Sequence, residues 1–166
     1  MTVSPIQITL HDNVARLDIN SEITENLATA MEAGLEKLFH YYKYDRIVLR
    51  INSPGGLLNA LRHMLQYMQH WRNRGCLIDT EVTFSAASAA AVLLSFGQVG
   101  SRTAHQHTSL LFHHARISGT TNAITATGAK NIASALKTTD QGLLLRLVEH
   151  VVAGSGGTAA YCAQGI

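Results

Sequence analysis

Apolar residues recur along the chain with strand and helix periods in alternation. From Ile6 to Ile19 they alternate loosely with polar residues, which predicts one or two strands around a turn at Asp12-Asn13. Helical spacing begins near Thr24, and either Thr24 or Ser21 is available as the N-cap. The apolar positions of this predicted helix are Leu27, Met31, Leu35, Leu38 and Phe39.

The middle of the chain continues this alternation. The β-branched run from Arg46 to Ile51 predicts a buried parallel strand, which Pro54-Gly55-Gly56 ends. A second helix follows, and Gly75 suits its C-terminal stop. Its apolar positions are Leu58, Leu61, Leu65, Met68 and Trp71. A strand from Cys76 to Phe84 then leads into an alanine-rich helix that runs from Ser88 to about Phe96.

The last third of the chain predicts two short strands and a long helix. The strands cover Arg102 to Ala104 and Ser109 to Phe112, and the helical stretch runs from Ala123 to Val152, with a break between Thr138 and Gly142. Strand and helix in repetition predict an α/β fold with a mostly parallel sheet. No repeat or linker divides the 166 residues, so a single domain over residues 1–166 is expected.

Composition and charge narrow the range of functions and locations expected for the chain. The formal net charge is +2 and the arginines are scattered, so no nucleic-acid partner is predicted. The N-terminus lacks a basic region followed by an apolar run, and the stretch from Phe84 to Gly97 is too short to span a bilayer, so neither secretion nor a membrane is predicted. Two cysteines without a Cys-x-x-Cys pairing fit the cytoplasm. A low charged fraction indicates surface buried between subunits.

The chemistry concentrates on one serine and one histidine. Ser88 falls where a predicted strand turns into a helix, a place that presents a hydroxyl beside unpaired backbone N–H groups. His113 follows at the end of another strand and is a candidate general base. Ala89 and Gly55 are candidate backbone donors for an oxyanion, because a glycine after a strand lets backbone approach a substrate. The pattern predicts a serine hydrolase.

Other interpretations of these residues stay open. His114 adjoins His113, so the residues alone do not decide which is the base. Lys130 is an alternative base on a helix. A metal ion or other cofactor is not predicted, because no cysteine joins the histidines and residues 82–139 contain no Asp or Glu. The four neighbouring histidines are His105, His107, His113 and His114.

Taken together, these segments resemble the Clp protease proteolytic-subunit (ClpP) family, within the crotonase-like superfamily. Asn52-Ser53-Pro54-Gly55-Gly56 matches that family's diglycine signature, Ala86-Ala87-Ser88 matches its nucleophile motif, and Leu111-Phe112-His113 matches the segment that ends in its histidine. The resemblance covers roughly residues 14–154. It implies a fold of repeated β-β-α units with a mostly parallel sheet and a long C-terminal handle helix.

The resemblance also implies a function, a serine endopeptidase that acts through an acyl-enzyme. Ser88 would be the nucleophile, His113 the base, and Gly55 and Ala89 the oxyanion donors. Backbone around Leu57 and Arg116 would pair with an extended peptide. The implied substrate is a peptide or unfolded protein, and the implied partners are copies of the chain in rings of six or seven that stack face to face, and an ATP-dependent unfoldase.

Three departures from the family pattern qualify this expectation. His113-His114-Ala115 replaces the family's His-Gln-Pro, and Ala89 stands where methionine is common. The triad acid is not at its expected place, so the third member is Asp140, Glu149, a backbone carbonyl or absent, and the chain ends at Ile166 near where the acid would follow. Two alternative functions remain, a catalytically impaired structural subunit and a peptidase with a Ser88–Lys130 dyad.

Overall fold

The computed structural model describes residues 5–11, 13–113, 130–138, 140–142 and 145. By its internal contacts the chain divides into two units, Met1–His113 and His114–Ile166. The first unit contains every strand that the structure describes. The prediction of a single domain over residues 1–166 stays a prediction.

The first unit begins with a hairpin and a helix. Strands β1 (Ile6–Leu10) and β2 (Ala15–Ile19) are antiparallel, so the two-strand interpretation of this segment is correct. Helix α1 (Glu25–Glu36) follows and continues into a π-helical turn, Lys37–Tyr41. Of the two predicted N-caps, Thr24 is the one used, since its side chain accepts the Leu27 N–H at 3.2 Å.

Strand and helix then alternate as predicted. The remaining elements are β3 (Arg46–Ser53), α2 (Leu58–Arg72), β4 (Leu77–Ala87), α3 (Ala89–Ser95), β5 (Arg102–Ala104) and β6 (Ser109–Leu111). The sheet order is β1-β2-β3-β4-β5, and β6 pairs β4 beyond the end of β5. Every described strand pair except β1–β2 is parallel. The predicted α/β fold with a mostly parallel sheet is therefore confirmed.

One face of the sheet forms the core. Side chains of β3 alternate strictly between buried and half-buried positions, and Ile47, Leu49 and Ile51 are fully buried. Helices α1, α2 and α3 bury their apolar residues with this face, including the predicted positions Leu61 and Met68. The long central strand β4 extends three residues beyond its predicted end at Phe84.

The other face of the sheet carries ion pairs that join neighbouring strands. Arg46 on β3 binds Asp79 on β4 at 2.7 Å, and Arg50 reaches both Asp18 at 3.2 Å and Glu81 at 3.7 Å. His105 also contacts the Glu81 carboxylate. Cross-strand pairs of opposite charge stabilise the register of adjacent strands, so both faces fix how β2, β3 and β4 align.

The predicted C-terminal helix is described only in part. Residues 130–138 and 140–142 are helical. Apart from residue 145, which is also helical, the rest of the predicted stretch from Ala123 to Val152 lies outside the described residues. A long handle helix therefore stays a prediction. In the described part of the chain, no helix is both long and apolar enough to cross a bilayer.

Truncating one core residue of β3 tests the assignment of the two faces. Leu49→Ala leaves a cavity between the sheet and its helices, and we expect it to lower the free energy of unfolding by about 2–5 kcal/mol. Val48→Ala, one residue away on the half-buried face, is expected to cost about 1 kcal/mol or less. Urea denaturation measures both, and equal losses in the two variants would contradict the assignment.

Candidate active site

Ser88 occupies a strained turn between β4 and α3. The strand ends at Ala87, the helix starts at Ala89, and Ser88 between them has φ 55° and ψ −123°. A non-glycine residue in this region costs on the order of 1–3 kcal/mol and persists only where its surroundings impose it. A strained strand-to-helix turn of this kind presents a serine oxygen at the end of a sheet. Ser88 is half-buried at that end.

Backbone hydrogen bonds hold Ser88 on two sides. Its N–H donates to the Leu111 carbonyl at 2.7 Å, which ties it to the last residue of β6. Its carbonyl accepts the N–H groups of Ala91 and Val92, at 3.1 and 3.2 Å, in the first turn of α3. The Ala89 N–H has no acceptor among the described residues, as expected at the first position of a helix.

The diglycine turn after β3 packs directly against Ser88. Gly55 has φ +94°, and a Cβ placed on it would lie 2.5 Å from the Ala87 carbonyl oxygen and 2.7 Å from Ser88 Cβ. Gly56 has φ +151°, and a Cβ there would lie 2.2 Å from the Ile23 carbonyl oxygen. Each glycine therefore meets a different piece of backbone, Gly55 the nucleophile turn and Gly56 the segment before α1, and neither place admits a side chain.

Two of the three N–H groups in this turn already have acceptors. The Gly55 N–H donates to Ser53 Oγ at 3.1 Å, and the Leu57 N–H donates to the Ile23 carbonyl at 2.8 Å. The Gly56 N–H between them has no acceptor among the residues that the structure describes. The predicted donor Gly55 is thus engaged within the chain, because its N–H faces the buried Ser53 hydroxyl. The available donor is the neighbouring Gly56 N–H.

The parallel register of β4 and β6 carries His113 to the same edge of the sheet as Ser88. Ala87 is opposite Leu111 in the register, so Ser88 follows one strand end and His113 follows the other by two residues. Neighbouring strands lie about 4.8 Å apart, which places both residues at one end of one strand pair. The His113 side chain is exposed. His114, the alternative base, lies outside the described residues.

Of the two predicted peptide-binding positions, the structure describes Leu57. Leu57 is at the start of α2 with its side chain half exposed, but its N–H is taken by Ile23 and its carbonyl accepts the Leu61 N–H at 3.0 Å. Ile23 and α2 thus use both backbone groups of Leu57 itself, and pairing of the backbone around Leu57 with a peptide stays a prediction. Arg116 lies outside the described residues.

Carboxylates of the central strand are remote from His113. Glu81 is six residues before Ala87, which is about 20 Å along β4, and it is held by Arg50 and His105. Asp140 lies in the helical part of the second unit, and Glu149 lies outside the described residues. Lys130 is also in the second unit, in the helical range 130–138. Among the described residues, no three His, Cys, Asp or Glu side chains form a group that could hold a metal ion.

An exposed apolar cluster adjoins the serine. Phe84 on β4 is 72% exposed, and the β6 segment beside it exposes Leu110, Leu111 and Phe112. Because β6 pairs with Ser85 to Ala87, these residues lie within a few positions of Ser88. The register puts Leu110 on the face of Ala86 and Leu111 on the face of Ala87, so apolar side chains are exposed on both faces of the sheet near the serine.

Fold and site together define an α/β protein with a serine at a strained strand-to-helix turn, beside a diglycine turn and a histidine at the end of the adjoining strand. The chain belongs to the Clp protease family, whose model matches residues 7–153. The resemblance to this family that the sequence motifs predicted is thereby confirmed.

Individual relatives agree with this membership. The chain is 36% identical over 102 residues to the ATP-dependent Clp protease proteolytic subunit 1 of Thermobifida fusca (strain YX), an alignment that covers 61% of this chain and 45% of that protein. It is 38% identical over 95 residues to the corresponding subunit 2 of Chlamydia trachomatis serovar D, covering 57% of this chain and 45% of that protein. For subunit 1 of Shouchella clausii (strain KSM-K16) the identity is also 38% over 95 residues, with coverages of 57% and 48%. The matched segments thus span about half the length of these relatives.

Substituting Gly55 tests the close approach of the two turns. Gly55→Ala adds a methyl group that overlaps the Ala87 carbonyl. We expect it to lower the free energy of unfolding by at least about 2 kcal/mol more than the backbone strain of an alanine at positive φ would by itself. Gly75→Ala is the matched control, because Gly75 has φ +86° with nothing within 4 Å, and it should cost about 1 kcal/mol. Thermal or urea denaturation compares them. Equal costs would refute the contact.

Proposed function

We propose that this chain is a serine endopeptidase that cleaves peptide bonds through an acyl-enzyme on Ser88. The observation that carries the proposal is the strained turn at Ser88, tied through its N–H to the strand that leads to His113. The printed names of the relatives, proteolytic subunits of an ATP-dependent Clp protease, support it. Strain at a single residue is costly, and it is usually found where a side chain acts on a ligand.

In this mechanism His113 accepts the proton of Ser88 Oγ while that oxygen bonds to the peptide carbonyl carbon. The carbonyl π electrons move onto the oxygen, and a tetrahedral intermediate forms. Its collapse breaks the C–N bond, and the protonated imidazole gives its proton to the leaving amine. Water then attacks the ester, His113 takes a proton from it, and Ser88 regains a proton when the acid leaves.

The oxyanion would be held by two backbone donors, the N–H groups of Ala89 and Gly56. Ala89 supports this role because its N–H is unpaired at the start of α3, next to the attacking oxygen. Gly56 supports it because its neighbours on both sides are engaged and its own N–H is not, among the described residues. Removing one such donor typically costs about 10²–10³-fold in rate.

The substrate we propose is an extended peptide or an unfolded protein. Leu111, opposite Ala87, and the following Phe112 expose apolar side chains near Ser88, against which a peptide side chain would be buried. Arg116 remains a proposed substrate-binding residue. An ATP-dependent unfoldase as partner and a cytoplasmic location are further proposals, supported by the relatives' names and by the cysteine usage.

Active-site labelling and peptide hydrolysis test the proposal together. The wild-type chain should be modified by a fluorophosphonate at Ser88 and should hydrolyse an unfolded protein substrate, and Ser88→Ala should abolish both. His113→Ala should lower kcat by about 10³-fold or more, because the hydroxyl loses its base. His105→Ala is the matched control, since His105 is another exposed histidine but pairs with Glu81 far along β4, and it should leave kcat within about 2-fold.

The contrary outcomes separate the alternatives. A folded wild-type chain that neither reacts with the fluorophosphonate nor hydrolyses peptides would support a catalytically impaired structural subunit instead. The triad acid missing from its expected place motivates that alternative, since Asp140 and Glu149 are the only Asp or Glu residues that follow His113 in the sequence. Hydrolysis that survives His113→Ala but is lost in Lys130→Ala would support the Ser88–Lys130 dyad.

We also propose that copies of the chain assemble into rings of six or seven. The low charged fraction supports burial of surface between subunits. Multi-angle light scattering at micromolar concentration should therefore give a mass several times the 18.0 kDa of one chain. A single species of 18.0 kDa would contradict the ring.

A further inference from the structure

We propose that Ser53 is a positioning residue of the active site. Its hydroxyl holds the diglycine turn so that, of the N–H groups in this turn, the Gly56 N–H is the one left to bind the oxyanion together with the Ala89 N–H. The inference rests on the peptidase function proposed above. Ser53 ends β3 and is only 1% exposed, one of two buried polar side chains in the described part of the chain. The other is Thr80.

The sheet places Ser53 close to the nucleophile. The pairing of β3 with β4 shifts its register between Ile51 and Ser53, so that Ser53 comes opposite Ala86, two residues before Ser88. A bulge of this kind bends a strand and redirects the side chains that follow it. Ser53 Oγ then accepts the Gly55 N–H at 3.1 Å, across the intervening Pro54.

Two consecutive glycines need such an anchor. Glycine has access to many backbone conformations, so a Gly-Gly turn does not by itself fix the direction of its N–H groups. Here three hydrogen bonds fix it. Ser53 Oγ accepts the Gly55 N–H, the Ile23 N–H donates to the Gly55 carbonyl at 2.7 Å, and the Leu57 N–H donates to the Ile23 carbonyl.

Of these three bonds, only one uses a side chain. The two bonds of Ile23 are made by its backbone, so a side-chain substitution does not remove them. The Ser53 hydroxyl, in contrast, can be removed by substitution. Without it the buried Gly55 N–H has no acceptor, and the peptide groups of the turn rotate toward other partners. Because oxyanion binding requires a donor within hydrogen-bonding distance of a developing charge, rotation of the turn lowers the rate of the chemical step more than it weakens substrate binding.

The test compares Ser53→Ala with two other variants. Ser53→Ala should lower kcat by about 10–100-fold with KM changed by less than about 3-fold, and it should weaken a peptidyl boronate inhibitor by a similar factor. Ser53→Thr keeps the hydroxyl and should restore most of kcat. Thr80→Val is the matched control, because it removes the other buried hydroxyl. That hydroxyl donates to the Leu94 carbonyl at 2.7 Å and does not contact the diglycine turn. This variant should leave kcat unchanged.

A second measurement does not need activity. Amide hydrogen exchange over residues 53–57 should become about 10-fold faster or more in Ser53→Ala and stay unchanged in Thr80→Val, because only the first variant frees the Gly55 N–H. Unchanged kcat or unchanged exchange in Ser53→Ala, with hydrolysis still abolished by Ser88→Ala, would overturn the role of Ser53 and leave the peptidase intact. A wild-type chain without hydrolysis would overturn both proposals.

Discussion

The strained backbone of Ser88 is the constraint on which the rest of the site depends. Its conformation costs on the order of 1–3 kcal/mol, and each hydrogen bond that holds it contributes about 0.5–1.5 kcal/mol net. One bond goes to Leu111 on β6 and two come from α3. The serine therefore stays in place only while β4, α3 and β6 are all formed. The conformation of Ser88 thus depends on β6, a strand of three residues, as well as on β4 and α3.

The close contact between the nucleophile turn and the diglycine turn explains the residue types at both. Gly55 lies against the Ala87–Ser88 backbone and Gly56 against Ile23, so a side chain at either would push β3 away from β4 or from the segment before α1. The alanines around Ser88 serve the same close approach from the other side. Because the two turns touch, a Cβ on Gly55 would lie only 3.1 Å from the Ala89 nitrogen, and no long side chain has to be ordered for this contact.

Much of this arrangement could be predicted from the sequence, because it follows from local patterns. A β-branched run predicted β3, helical spacing predicted α1 and α2, and the order of the motifs indicated Ser88 and His113. The contact of the Gly55 N–H could not be predicted, because its acceptor is a hydroxyl two residues away whose direction depends on a register shift in β3. The contact of the Leu57 N–H could not be predicted either, since it donates to Ile23, 34 residues earlier in the chain. Hydrogen bonds between distant segments leave no periodic signal in a sequence.

In the proposed mechanism, different kinds of contact hold the nucleophile and orient the base. The first unit fixes Ser88, Ala89 and Gly56 by backbone bonds that do not titrate, whereas His113 needs a partner to set its tautomer. Glu81 cannot be that partner, because Arg50 and His105 hold it about 20 Å along β4. Loss or displacement of an acid would therefore slow proton transfer and leave the geometry of attack intact. Under that proposal Ser88 keeps its position for acyl-enzyme formation, and the turnover rate depends on the carboxylate or carbonyl that faces the imidazole.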